Sequence, residues 1–168
     1  IFDVVELQNY IDLFVIMGYD YNTGPQLQGA VAPLIPFETK GVSLNNTLKF
    51  YLNNGIEPSK TVLALPYYGS MWEGAIDEDG TTSSMFERKV TYREVMSIFN
   101  DEFVIKNNLS PSLEKNSMTN YFNIVYPDNT TKEVWFDDDY TLGKKYDFAI
   151  TNNLRGIGIW ALGYDNGY

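Results

Sequence analysis

Three short apolar runs limit what this chain can fold into. Residues 13–17 (LFVIM), 62–65 (VLAL) and the stretch RGIGIWALGYD at 155–165 are too short for ordinary helices and rich in β-branched residues. Continuous apolarity without alternation is the pattern of strands buried on both faces of a parallel sheet. Between the first two runs, Ser43 stands where an N-cap belongs, Leu44, Leu48, Tyr51 and Leu52 follow at helical spacing, and Asn54-Gly55 supplies a left-handed stop. Before the third run, Asp139 caps a stripe of Leu142, Tyr146, Ala149 and Ile150 that ends at Asn152-Asn153. Strand, helix, strand in this order predicts parallel neighbours joined by right-handed crossovers.

Other segments interrupt that rhythm. A short helical stripe, Val4, Val5, Leu7 and Ile11, precedes the first run, and a loop punctuated by Gly and Pro occupies residues 22–41. From Trp72 to Trp135 the chain holds an acidic loop (EGAIDEDGTTSS), a helix opened by Thr91 with Glu94 in capping-box spacing, and strand-like YFNIVYP and KEVWF around a turn at Asp128-Asn129. Residues 72–135 therefore read as a small α+β insertion between β/α units at 1–71 and a last helix and strand at 136–168. Three parallel strands fit either an open doubly wound sheet or an α/β barrel. The 168 residues favour an incomplete barrel, because a whole one takes about 250.

Composition removes several chemistries. The chain has no cysteine and no histidine, which excludes thiol nucleophiles, imidazole acid–base catalysis, His-based serine triads and Cys/His zinc sites. A formal net charge of -10 repels phosphate backbones, so nucleic acid is not an expected partner. No apolar run approaches the roughly 20 residues of a membrane span. The first residue is Ile1, and the N-terminus lacks the basic start and small-residue cleavage site of a signal peptide, so the chain reads as cut from something longer. Carboxylates and 13 tyrosines are the chemistry that remains. Tyr and Trp present flat apolar faces with a polar edge, which suits a sugar ring.

In parallel α/β folds the active site lies where strands end, so the three strand ends form one candidate rim. They are Met17-Gly18-Tyr19-Asp20-Tyr21, Pro66-Tyr67-Tyr68-Gly69 and Trp160 through Asp165. Here the sequence resembles a known family: MGYDY, LPYYG and VWFDDDYTLGKKYDFAITNNLRGIGIWALGYD look like the sixth, seventh and eighth strand regions of glycoside hydrolase family 18, the chitinases and their relatives. The resemblance implies a partial (β/α)8 TIM barrel, strands six to eight, whose α+β insertion walls the cleft. It also implies hydrolysis of β-1,4-linked N-acetylglucosamine polymers by substrate-assisted retention, in a secreted or cell-envelope protein. Carried onto this sequence, it makes Tyr19 and Asp20 the catalytic residues, with Tyr19 reaching the acetamido group and Asp20 the sugar hydroxyls. Trp160 becomes the floor beneath the ring, Met17 the base of the pocket, and Tyr68, Trp72 and Asp137 or Asp138 the neighbouring wall.

One part is missing from these residues. The family's acid lies in an Asp-x-x-Asp-x-Asp-x-Glu run at the end of strand four, and no such run occurs here. Asp77-Glu78-Asp79 and Asp137-Asp138-Asp139 have the wrong spacing and read as solvated turns or caps. They also lack the pattern of a calcium loop, so no metal and no cofactor is expected. Three strands cannot close a barrel. Open edges and bare inner faces should therefore drive association with the missing N-terminal half or with another copy. A barrel relative that binds carbohydrate without cleaving it is the alternative reading.

Overall fold

The computed structural model describes residues 3–23, 28–36, 41–165 and 167. The elements in chain order are α1 (Val4–Leu7), β1 (Phe14–Met17), α2 (Leu44–Asn53), a 3-10 turn (Pro58–Lys60), β2 (Thr61–Pro66), β3 (Tyr68–Ile76) and β4 (Thr82–Thr91). They continue with α3 (Tyr92–Phe99), α4 (Glu102–Lys106), β5 (Ser112–Glu114), β6 (Thr119–Val125), β7 (Thr130–Phe136), α5 (Asp139–Thr151) and β8 (Gly156–Trp160). Two sheets result: a parallel one in the order β1-β2-β8 and an antiparallel one in the order β4-β3-β7-β6-β5. The three apolar runs of the sequence are the three parallel strands.

Register decides which side chains share a face of the parallel sheet. Ile16 lies beside Leu63 and Leu65 beside Ile159, while Met17 lies beside Ala64 and Pro66 beside Trp160. The first set is the core: Ile16, Leu63 and Leu65 pack against Leu44 and Leu48 of α2 and Ala32, with Tyr146 and Phe148 of α5 closing the edge. Each such buried leucine contributes about 1.5–3 kcal/mol of transfer free energy. The second set divides: at the edges Val15 is 59% exposed, Met17 68% and Trp160 56%, while Ala64 and Pro66 of the central strand are buried. Burial on both faces, expected from continuous apolarity, holds for Leu63 to Pro66 of the central strand β2 and not for β1 and β8 at the edges. Apolarity records what a residue tolerates, and among the described residues the edges of that face stay open at Val15, Met17 and Trp160. Gly18 follows β1 where a Cβ would meet Leu44 Cδ2 at 2.5 Å and Ala64 O at 3.0 Å, so a side chain there would force Leu44 or the strand to shift.

The antiparallel sheet grows directly from β2, with only Tyr67 between β2 and β3. Its first strand starts at Tyr68, four residues before the sequence break at Trp72. The acidic stretch expected as a loop is mostly strand: β3 and β4 pair from Tyr68↔Thr91 to Ile76↔Thr82, leaving only residues 77–81 as the turn. Polar residues there form the solvent faces of a hairpin, and a solvent-facing strand has the composition of a loop. One face of the sheet packs Met71, Val90, Val134 and Phe136 against Val95 of α3, and Phe122 and Ile124 pack against Val104 of α4. The other face packs Trp72 and Trp135 with Ala30, Phe86 and Tyr121.

The helix starts follow the sequence with one shift. Ser43 accepts from Asn46 N at 3.2 Å, and Thr91 forms the expected capping box with Glu94. For α5 the cap is Asp138, whose side chain accepts from Thr141 N at 2.9 Å; Asp139 is already in the first turn. A buried ion pair joins α5 to the antiparallel sheet. Lys145 Nζ donates to both carboxylate oxygens of Asp137 at 2.6 Å and to Thr119 Oγ1 at 3.2 Å, and no part of Lys145 reaches solvent. Burial pushes the Asp137 carboxyl up and the Lys145 ammonium down, and their mutual attraction opposes both shifts.

Candidate functional site

The two sheets meet at Asp20, three residues beyond the end of β1. Its backbone is left-handed (φ 63°), a conformation that Asp tolerates better than most residues. This turns its carboxylate toward the start of β3. Oδ1 accepts from the Tyr68 hydroxyl at 2.6 Å, and Oδ2 accepts from Lys89 Nζ of β4 at 2.6 Å. Tyr68 is 6% exposed and held edge-on by two rings, Tyr19 at 6.2 Å and Tyr164 at 6.5 Å. Lys89 Nζ also lies 5.0 Å from the centroid of the Tyr68 ring. Burial first, and then the bond to Asp20, push the Tyr68 phenol far above its ordinary range, so it stays a donor at any physiological pH.

The strand ends on either side are anchored by backbone. Gly18 N donates to Ala64 O and Tyr67 N to Trp160 O, each at 2.8 Å, which extends the parallel ladder to the rim. Tyr92 N donates to Tyr164 O at 3.1 Å and ties the segment after β8 to α3. The Trp160–Ala161 peptide is cis. Met17 and Trp160 project from the open face of the sheet at the same end as Asp20.

Of the seven residues expected at the site, five gather here: Tyr19, Asp20 and Tyr68 in direct contact, Met17 and Trp160 on the adjoining open face. Two lie inside the protein. Trp72 is 1% exposed, with its ring 5.7 Å from Phe86, in the core of the antiparallel sheet. Asp137 has both oxygens on Lys145, and its neighbour Asp138 caps α5. Asp137, Tyr67, Tyr92, Tyr146 and Asp165 line a cavity of about 510 Å³ that includes neither Asp20 nor Trp160. The Tyr67 and Tyr146 hydroxyls are 2.7 Å apart there.

Two functional-looking residues are absent from the sequence reading. Lys89 carries no local signal, since its partner Asp20 is 69 residues away. Glu133 sits in the strand KEVWF, where burial raises its carboxyl while hydrogen bonds from the Trp135 indole and Gln28 oppose the rise. It lines a separate cavity of about 570 Å³ with Tyr121 and Asn123. Among the described residues no group of three or more His, Cys, Asp or Glu could hold a metal ion, and no helix is long and apolar enough to cross a membrane.

A fixed carboxylate, a buried phenol and an exposed tryptophan on one rim can bind a ligand with hydroxyls on its edge and an apolar face. The strand ends of such an α/β fold are where active sites lie. The sequence model described as "Glycosyl hydrolases family 18" matches residues 1–165, and the chain belongs to that family. A curated relative, the cortical fragment-lytic enzyme of Bacillus subtilis (strain 168), is 26% identical over 155 residues, covering 91% of this chain and 32% of that protein. Two solved structures share the fold. The Group IV chitinase of Ostrinia furnacalis, in complex with allosamidin, superposes with a TM-score of 0.75 at 22% identity over 98% of this chain and 47% of its own. The chitinase-like agglutinin of Robinia pseudoacacia gives 0.72 at 19% identity over 98% and 46%. The chain therefore spans between a third and a half of the length of these relatives.

Proposed function

We propose that this chain is the C-terminal part of a glycosidase barrel that cleaves β-1,4-linked N-acetylglucosamine polymers, chitin or peptidoglycan-type glycans, by substrate-assisted retention. The observation that carries the reading is the Asp20 carboxylate, held at 2.6 Å by Tyr68 beside Tyr19, at the rim of a face on which Met17 and Trp160 are bare. In this reading β1, β2 and β8 are barrel strands six, seven and eight, and residues 72–135 with the start of β3 form the cleft wall. The open face of the parallel sheet is the barrel interior, completed by strands outside these residues. The protein acts outside the cytoplasm or in the cell envelope.

The chemistry assigns each rim residue a task. The acetamido carbonyl oxygen of the bound sugar attacks the anomeric carbon, the glycosidic C–O bond breaks, and the leaving oxygen takes a proton from a carboxylic acid. Water then attacks the same carbon, returns its proton to that acid and reopens the cyclic intermediate with retained configuration. Tyr19 orients the acetamido group and Asp20 opposes the positive charge that develops on it. Trp160 stacks beneath the ring, Met17 fills the base of the pocket, and Tyr68 holds Asp20. Trp72 and Asp137 serve the wall from within, one as packed core and the other as the anchor of α5. The proton-donating acid belongs to a strand outside this chain.

Trp160→Ala in the whole protein should weaken binding of N-acetylglucosamine oligosaccharides by roughly five- to tenfold, the scale of one lost stacking contact, as read by calorimetry. Unchanged affinity would remove the stacking claim. The fold likeness to an agglutinin, together with the lack of an acid run in these residues, favours one second reading, a carbohydrate binder without turnover. Binding without release of reducing ends would select it.

A further inference from the structure

We infer that Lys89, on the antiparallel sheet, is a positioning residue for Asp20, fixing the plane of its carboxylate from across the junction of the two sheets. The inference rests on the glycosidase reading above. Lys89 lies opposite Ser70 in the β3–β4 register, and Thr91, two residues on, lies opposite Tyr68. Val90 between them points into the core beneath α3, so Lys89 stands on the other face of the strand, the one that carries Tyr68. From there the side chain reaches diagonally past the Tyr68 ring to Asp20 Oδ2.

Stability does not account for this contact. Both side chains are nearly half exposed, and ion pairs of that kind are close to neutral for folding. Geometry gives it a use. The terminal torsion of an aspartate is broad, so a carboxylate with one partner swings about its own axis. Asp20 has two partners on different oxygens, a phenol at the start of β3 and an ammonium from β4, and its backbone is fixed in the left-handed region. A carboxylate restrained at both oxygens is preorganised for a ligand that must meet it at one angle.

A second effect opposes the first. The ammonium partly cancels the field of Asp20, so its removal strengthens that carboxylate toward a cationic intermediate. At this exposure the field is screened by solvent, whereas misorientation is not, and the loss of positioning dominates.

The test uses the whole protein and five variants: Lys89→Met, Lys89→Arg, Asp20→Asn, the double variant of Lys89→Met with Asp20→Asn, and Lys132→Met. Lys89→Met should lower kcat by about tenfold and change KM by less than about twofold, because Lys89 acts through Asp20 and does not hold the sugar. The melting temperature should stay the same. Lys89→Arg should restore most of the rate, and Lys89→Met should cost nothing further when Asp20 is already Asn. An unchanged kcat in Lys89→Met, or an equal loss in the Asp20→Asn background, overturns the proposal. One readout does not depend on turnover: the Asp20 side-chain 13C resonance should move in Lys89→Met and not in Lys132→Met, which removes the surface pair with Glu73. A wild-type protein without turnover sinks the glycosidase reading, and an unmoved Asp20 resonance sinks the role of Lys89.

Discussion

The antiparallel sheet has apolar partners on both faces, Val95 and Val104 of its helices on one and Ala30 beside Trp72 and Trp135 on the other. The parallel sheet has them on one face only, where Ile16, Leu63 and Leu65 meet α2, while Val15, Met17 and Trp160 on the opposite face stand in the open. The difference runs against composition: β1, β2 and β8 are almost wholly apolar, whereas β4 and β7 mix charged and polar residues with apolar ones. In the proposed reading the antiparallel sheet is a wall that holds its own shape, and the bare apolar surface at Val15, Met17 and Trp160 is left for barrel strands outside these residues. The proposed catalytic residues follow a strand of the parallel sheet, and the residues that brace them, Tyr68 and Lys89, come from the antiparallel one.

The largest expected effect strikes the buried ion pair that joins α5 to the antiparallel sheet. Lys145→Met leaves the Asp137 carboxylate buried without a partner and should cost about 3–5 kcal/mol in denaturant unfolding. A cost below about 1 kcal/mol would mean that α5 is held by packing alone. Next comes the contrast between the faces of the parallel sheet. Leu63→Ala should destabilise by about 2–5 kcal/mol, and Met17→Ala, one residue from its neighbour Ile16, should stay within about 0.5 kcal/mol in the isolated chain. Equal losses would show that the open face is covered in solution.

The smallest effect belongs to the wall. Burial tends to raise the Glu94 carboxyl, but hydrogen bonds from Thr91 and the Arg88 guanidinium outweigh burial and hold it below its ordinary range. A lowered folded pKa stabilises above the unfolded value of about 4.3 and is lost as pH falls through the folded one. Melting curves of wild type and Glu94→Gln should therefore differ near neutrality and converge in acid. A constant difference at all pH values would assign the effect to packing.

Much of this arrangement was legible in the sequence. The parallel strands showed as unbroken apolar runs, and their helices as caps at Ser43 and a stop at Asn54-Gly55. The capping box at Thr91 was equally local. Tyr19, Asp20, Tyr68 and Trp160 were visible as aromatic and acidic residues at strand ends, and the family resemblance supplied their tasks and added Met17. What escaped depends on distant neighbours. The β3–β4 hairpin carries polar solvent-facing residues that read as a loop, and no local pattern reveals that Trp72 is core. Lys89 and Lys145 look like ordinary surface lysines until Asp20 and Asp137 stand beside them. The open face of the edge strands β1 and β8 is equally invisible, because apolar residues do not say which of their faces a neighbour covers.

The central claim is that the rim of the open sheet face turns over a sugar, and one rate tests it. The whole protein should hydrolyse β-1,4-linked N-acetylglucosamine oligosaccharides, and Asp20→Asn should lower kcat by about 10²-fold or more while leaving the melting temperature unchanged. Hydrolysis at the wild-type rate in Asp20→Asn would contradict the account.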